Sequence, residues 1–177
     1  MTPRIFVISD LHFFHANIIT LCKRPFANVE IMNECLIENW NSKVEKNDLM
    51  IFCGDFALCT ADNFDSVIHR LNGRKVLVKG NHDSRSNKFY LDNDRFSFVC
   101  DYFSMKNVLF THRPIDYQSV CDSKWTESVC VHGHIHNSRP DIIKKYEISD
   151  QKLFNVSCEM HEYFPISLDE IKERCEK

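Results

Sequence analysis

The sequence predicts an α/β fold, and three observations carry that prediction. Short apolar runs alternate with helix-like stretches along the whole chain. Most runs are β-branched and too short for helices, which favours strands. Almost every run ends in a residue able to bind metal or move a proton, as strands do at the carboxyl edge of an α/β sheet.

Taken in order, the expected strands are Ile5–Ile8, Leu49–Cys53, Val76–Val78, Val108–Phe110 and Val129–Val131, with a weaker run at Leu153–Val156. The segment from Phe96 to Thr111 reads as a strand pair turning near Lys106-Asn107. Among the helices, Val29, Met32, Leu36, Trp40 and Val44 recur at three- and four-residue spacing and give one apolar face. Phe64, Val67, Ile68 and Leu71 do the same, with Asp62 as the expected cap and Asn72-Gly73 as the stop. Ser167-Leu168-Asp169-Glu170 is a capping box for a last short helix. The polar stretches 84–94, 115–127 and 137–151 read as loops or small helices.

With 177 residues, 44% of them hydrophobic and 27% charged, the chain suits one soluble domain spanning residues 1–177. A net charge of −3 argues against a grip on extended nucleic acid, which needs a basic surplus. The nine cysteines include no C-x-x-C pair and several lie in apolar runs, so buried reduced thiols in a cytoplasmic protein are expected. No run approaches the roughly 18 apolar residues of a membrane span, and the first run is too short for a signal-peptide core.

The chemistry follows the strands. Asp10 and His12 come after the first run, Asp55 after the second, Asn81 and His82 after the third, His112 after the fourth, and His132, His134 and His136 after the fifth. Three of the four glycines, Gly54, Gly80 and Gly133, adjoin these residues. Asp10 and His12 are two apart, as are His134 and His136, so in extended backbone each pair points to one side. A set of carboxylate, amide and imidazole without thiolate suits borderline or hard divalent ions. Asp10, His12, Asp55, Asn81, His112, His134 and His136 are too many for one catalytic zinc and suit two ions about 3.5–4 Å apart. Manganese is the first expectation, with iron, zinc, nickel, cobalt or magnesium as alternatives.

The order Asp10-Leu11-His12, Gly54-Asp55, Gly80-Asn81-His82-Asp83, His112, Gly133-His134-Ile135-His136 resembles the calcineurin-like metallophosphoesterases, whose pattern is D-x-H, G-D, G-N-H-D/E, H, G-H-x-H. The tail, with Asn155-Val156-Ser157 and Pro165-Ile166-Ser167-Leu168, is similar to the last strand and helix entry of small stand-alone members. The resemblance implies a four-layer α/β/β/α sandwich with two mixed β-sheets. It implies one metal held by Asp10, His12, Asp55 and His136, and a second held by Asp55, Asn81, His112 and His134. It places His82 near the substrate phosphate as the catalytic proton donor and Asp83 behind it as its orienting partner.

The implied activity is hydrolysis of phosphoester bonds by a metal-bridging hydroxide. A phosphodiesterase acting on a small nucleotide or a nucleic-acid end is the first expectation, because the short chain lacks a large specificity domain. A phosphomonoesterase or dinucleoside polyphosphate hydrolase is the alternative. A non-catalytic scaffold is a third reading, disfavoured because the ligands and the proton donor are all present. One departure is that Asp55 is followed by Phe56-Ala57-Leu58, where many relatives carry charges, so no substrate contact is implied there. Among Arg74, Lys75, Lys79, Arg85 and Lys88, Arg85 is the expected substrate contact. His15 receives no role, His132 is expected in the core or behind the ligands, and His69, His161 and Lys144-Lys145 are expected as structural or surface groups.

Overall fold

The computed structural model describes residues 2–114, 129–138 and 153–175. Two mixed sheets face each other. The first contains β1 (Ile5–Ile8), β2 (Leu49–Phe52), β3 (Arg74–Val78), β4 (Phe98–Cys100) and β9 (Ile166–Ser167), in the order β4-β3-β2-β1-β9. Its strands are parallel except β9, which pairs antiparallel with β1. The second contains β5 (Tyr102–Met105), β6 (Val108–Thr111), β7 (Val129–His132) and β8 (Leu153–Asn155) in chain order, with only the β5–β6 pair antiparallel.

The alternation of side chains along each strand builds two cores at once. Phe6 and Ile8 of β1, Met50 and Phe52 of β2 and Leu77 of β3 pack under the helices. The intervening Val7, Ile51 and Val78 meet Val108, Phe110 and Val131 of the other sheet. Burial on both faces is why these strands read as unbroken apolar runs rather than as alternating ones.

Helices α1 (Ala16–Leu21), α2 (Val29–Lys43) and α3 (Ala61–Ile68) cover the first sheet, together with residues around α4 (Asn87–Leu91). The expected apolar face of α2 is present, with Met32, Leu36, Ile37 and Trp40 buried, and Asn28 caps its start by accepting from the Ile31 N–H. The cap of α3 is Thr60 rather than Asp62. Its hydroxyl accepts from the Asn63 N–H at 3.3 Å, while Asp62 lies inside the first turn. That helix also ends earlier than expected, at Ile68, and Gly73 serves instead as the left-handed turn (φ 85°) into β3. The last helix, α5 (Leu168–Cys175), begins where Ser167 Oγ accepts from the Glu170 N–H, half of the expected capping box.

The segment from Phe96 to Thr111 differs from the expected strand pair. It holds three strands, and β4 belongs to the first sheet while β5 and β6 form a hairpin in the second. The hairpin turns at Lys106-Asn107, both at positive φ, as a tight turn compatible with strand twist requires. The crossing between sheets falls at exposed Asp101, which carries no glycine or proline to announce it. The polar stretch 84–94 contains α4, capped by Ser86. Of the other two stretches expected as loops or small helices, 115–127 and all of 137–151 but residues 137 and 138 lie outside the described residues, as does Lys144-Lys145.

In each sheet the parallel strands end on one edge. Ser9, just past β1, bridges to Ser157, just past β8, so the two edges meet. The chemistry-bearing residues lie along this seam.

Candidate metal centre

Asp10 and His12 follow β1, and Asp55 follows β2. The two loops are bound to each other by Asp10 N–H to Gly54 O (2.9 Å) and His12 N–H to Asp55 O (3.0 Å). Asn81 follows β3, His112 follows β6, and His134 and His136 follow β7, with Gly133 N–H donating to His112 O at 2.9 Å. Asp10, His12, Asp55 and His112 are all at most 4% exposed.

The two carboxylates are used asymmetrically. Asp10 Oδ2 accepts from the Ser9 hydroxyl (2.5 Å), the His134 N–H (2.9 Å) and the Ser157 hydroxyl (3.0 Å). Its other oxygen, Oδ1, is buried with no hydrogen-bond partner among the described residues and lies 3.8 Å from His136 Nε2. Asp55 Oδ1 accepts from the His82 backbone N–H at 2.8 Å. Asp55 Oδ2 lies between two imidazoles, 3.6 Å from His12 Nε2 and 3.4 Å from His112 Nε2. His112 Nε2 is also 3.1 Å from Asn81 Oδ1.

The imidazoles are aimed by what holds their far nitrogen. His112 Nδ1 donates to Cys53 O at 2.9 Å, and His136 Nδ1 donates to Glu159 Oε1 at 2.9 Å. Nε2 is therefore the atom each ring turns inward, and a cation there would replace its proton. His12 Nε2 is buried and unsatisfied among the described residues, while its Nδ1 meets His15 Nδ1 at 3.4 Å. An orphaned carboxylate oxygen and an orphaned imidazole nitrogen side by side would each cost free energy in an apolar interior. A divalent cation held by Asp10, His12 and His136 would satisfy both.

Burial and neighbouring charges shift the proton affinities of these groups in opposite directions. Burial pushes Asp10 up and takes His12 down to about 3. Burial also pushes Asp55 up, but hydrogen bonding and charge from His112 outweigh it and hold Asp55 at about 2. Burial and neighbouring His112 depress His134 to about 4. His136 is the reverse case. Burial lowers it, and Cys22, Glu159 and Asp10 more than compensate, raising it to about 10. Protons and cations compete for these same atoms.

Asp10–His12–His136 and Asp55–His112–His134 each gather ligand atoms within 4.8 Å of one another, so these six residues form two clusters able to hold a cation. The structure brings all seven expected ligand residues to this seam. It also shows a backbone feature that residue types do not reveal. Asp10, His12, Asp55, His134 and His136 all adopt positive φ, between 46° and 71°. That conformation costs an L-residue roughly 1–2 kcal/mol and is held here by the surrounding hydrogen bonds.

Glycine is required where the loops cross. A Cβ on Gly80 would lie 2.1 Å from Asp55 Oδ1, and one on Gly133 would lie 2.1 Å from Ser9 Oγ and 2.3 Å from Asp10 Oδ2. Gly133→Ala is therefore expected to fold at a cost of about 1–3 kcal/mol and to weaken cation binding by displacing the Asp10 carboxylate. A manganese titration identical to that of the parent protein would contradict this.

Other expected residues fall differently. His82 is exposed, its ring 5.2 Å from that of His12. Among the described residues the Asp83 carboxylate makes no hydrogen bond to the His82 ring. That buried carboxylate accepts instead from the backbone N–H groups of Gly80 (2.8 Å), Asp55 (2.7 Å) and Phe56 (3.1 Å), clamping the loop after β3 to the loop after β2. Both its oxygens are engaged by donors that only a carboxylate at this position could satisfy together. Arg85 donates from Nη2 to Cys59 O at 2.7 Å and stacks 4.3 Å from the Phe89 ring centroid, contacts that tie it to the loop before α3 and to α4. His132 is buried, His69 is exposed beside Asp65, and His161 packs against Phe154, all as expected. Sequence reasoning missed Ser9, Arg24, Ser157, Cys158 and Glu159, which surround Asp10 and His136.

Facing mixed sheets with paired cation-binding clusters on their shared edge define a metal-dependent phosphoesterase fold. The chain belongs to the calcineurin-like phosphoesterases, which it matches over residues 3–171. It is 38% identical over 178 residues to the uncharacterized protein MJ1445 of Methanocaldococcus jannaschii, covering 98% of this chain and 92% of that one. The crystal structure of AQ665, a protein of unknown function from Aquifex aeolicus, is similar with a TM-score of 0.72 and 26% identity, covering 98% of this chain and 100% of that chain. No helix among the described residues is long and apolar enough to cross a membrane.

Proposed function

We propose that the protein is a phosphodiesterase for a small nucleotide or nucleic-acid-end substrate, using two divalent ions. Asp10, His12, Asp55 and His136 hold the first ion, and Asp55, Asn81, His112 and His134 hold the second. The observation that carries this reading is Asp55 Oδ2, placed 3.6 Å from His12 Nε2 and 3.4 Å from His112 Nε2, where one oxygen can serve both clusters. The mixed oxygen and nitrogen donors, with no thiolate, suit borderline or hard divalent ions, and manganese is the first of these to be tried.

When bound, the ions supply an activated water and offset charge on the phosphoryl oxygens. The chain's own residues do the rest. His82, exposed beside His12, can hold a proton at its imidazole for the leaving oxygen. Asp83 acts as a positioning residue, keeping the loops of Asp55 and Asn81 in register. The absence of a basic surplus in a chain of net charge −3 supports a small substrate over a long polyanion.

The test is to strip the protein of metal and restore manganese, nickel, zinc, cobalt, iron or magnesium singly. Each form is then assayed on bis-p-nitrophenyl phosphate and on p-nitrophenyl phosphate. Manganese-restored protein is expected to prefer the diester. Preference for the monoester would replace this reading with a phosphomonoesterase, and no hydrolysis with any ion would replace it with a scaffold.

A further inference from the structure

We propose that Glu159, anchored by Arg24, is the positioning residue of the first metal site, fixing His136 in the tautomer that binds the ion. Glu159 lies in the 3-10 turn Cys158–His161 that follows β8, well past the last expected ligand in sequence, and its side chain is only 2% exposed. Its Oε1 receives three donors, from His136 Nδ1 at 2.9 Å, Arg24 Nε at 2.9 Å and Arg24 Nη2 at 2.7 Å.

An imidazole offers a metal one lone pair only if its other nitrogen keeps the proton. A carboxylate accepting from Nδ1–H enforces that choice and makes Nε2 more basic. His136 Nε2 then faces the orphaned Asp10 Oδ1. A buried carboxylate is costly unless its charge is matched, and Arg24 matches it.

Arg24 does more than neutralise. Its Nη2 also donates to Asp10 O at 2.6 Å, and its Nη1 donates to Leu11 O at 2.8 Å. One guanidinium thus ties the carboxylate behind His136 to the backbone that carries Asp10 and His12. The same segment grips the site again, with Asn155 Nδ2 donating to His136 O at 2.8 Å and Cys158 Sγ donating to Asp10 O at 3.2 Å. A salt bridge serving stability alone would not need the imidazole contact. Cys22, His136 and Glu159 also gather ligand atoms within 4.8 Å of one another, and Glu159 Oε2 is buried with no hydrogen-bond partner among the described residues, but the Arg24 guanidinium already places a positive charge on Glu159 through Oε1.

The inference rests on His136 being a ligand of the first ion. It is tested on the full chain by titrating manganese against a competing chelator, with thermal unfolding followed with and without manganese. Glu159→Ala is expected to weaken one of two sites by roughly 10–100-fold, leave the other unchanged, and shrink the manganese-induced rise in Tm. Glu159→Gln keeps an acceptor for Nδ1–H and for Arg24 but loses the charge, so it should recover part of the affinity and remain about tenfold weak, with a shifted visible spectrum of the cobalt form. Parent-like affinity in Glu159→Ala, or in Glu159→Gln should the alanine variant fail to fold, overturns the proposal. His136→Gln separates the two levels, because parent-like affinity in that variant overturns the ligand reading itself.

Discussion

Asp55→Ala is expected to lose metal and activity together, with turnover down at least about a thousandfold. The size follows from the charge stabilisation that two ions supply at phosphorus, several kcal/mol, at about 1.4 kcal/mol per tenfold in rate. The coupling to metal content follows from geometry. Asp55 Oδ2 is within 3.6 Å of His12 Nε2 on one side and 3.4 Å of His112 Nε2 on the other, so removing it takes a donor from both clusters at once. Asp55 Oδ1 is also the acceptor for the His82 N–H, so the loop bearing Asn81 and His82 loses an anchor. Metal analysis of the purified variant beside a diester assay gives the answer. Two ions bound at parent affinity would show that Asp55 bridges nothing.

The residues that gather at the seam were legible as candidates in the sequence because each sits just past an apolar run, and strand ends can be located from such runs even when sheet order cannot. The resemblance supplied the pairing of sheets, which local patterning does not contain. What stayed hidden shares one cause: it depends on contacts between distant segments. Ser157 and Asp10 are 147 positions apart and joined by a 3.0 Å hydrogen bond. Arg24 and Glu159 are 135 apart. A lone arginine after a short helix and a lone glutamate near the end of the chain read as solvated charges until the fold places them together. The left-handed backbone of Asp10, His12, Asp55, His134 and His136 is equally silent, since no glycine or asparagine marks those positions. Asp83 shows the converse case. Its neighbour in sequence suggested that it serves His82, whereas the backbone donors of Asp55, Phe56 and Gly80 reach its carboxylate instead.

His82→Ala is expected to keep both ions and lose roughly 100- to 10,000-fold in turnover, the range for removal of a general acid. Metal retention is expected because the link from residue 82 to the centre is its backbone N–H, 2.8 Å from Asp55 Oδ1. Alanine preserves that group. The clamp from Asp83 to Gly80 and Asp55 is likewise untouched. The kinetic loss can be assigned to proton donation by varying the leaving group. A nitrophenolate departs readily without a proton, whereas an alkoxide does not. If His82 delivers the proton, the variant should lose far more activity on a diester with an alkyl or nucleoside leaving group than on a nitrophenyl diester. If His82 only binds the phosphoryl oxygens, both substrates should suffer equally. Parent turnover on the alkyl diester would remove His82 from the chemistry altogether, and loss of metal would mean that the Asp55 anchor depends on the imidazole rather than on the backbone.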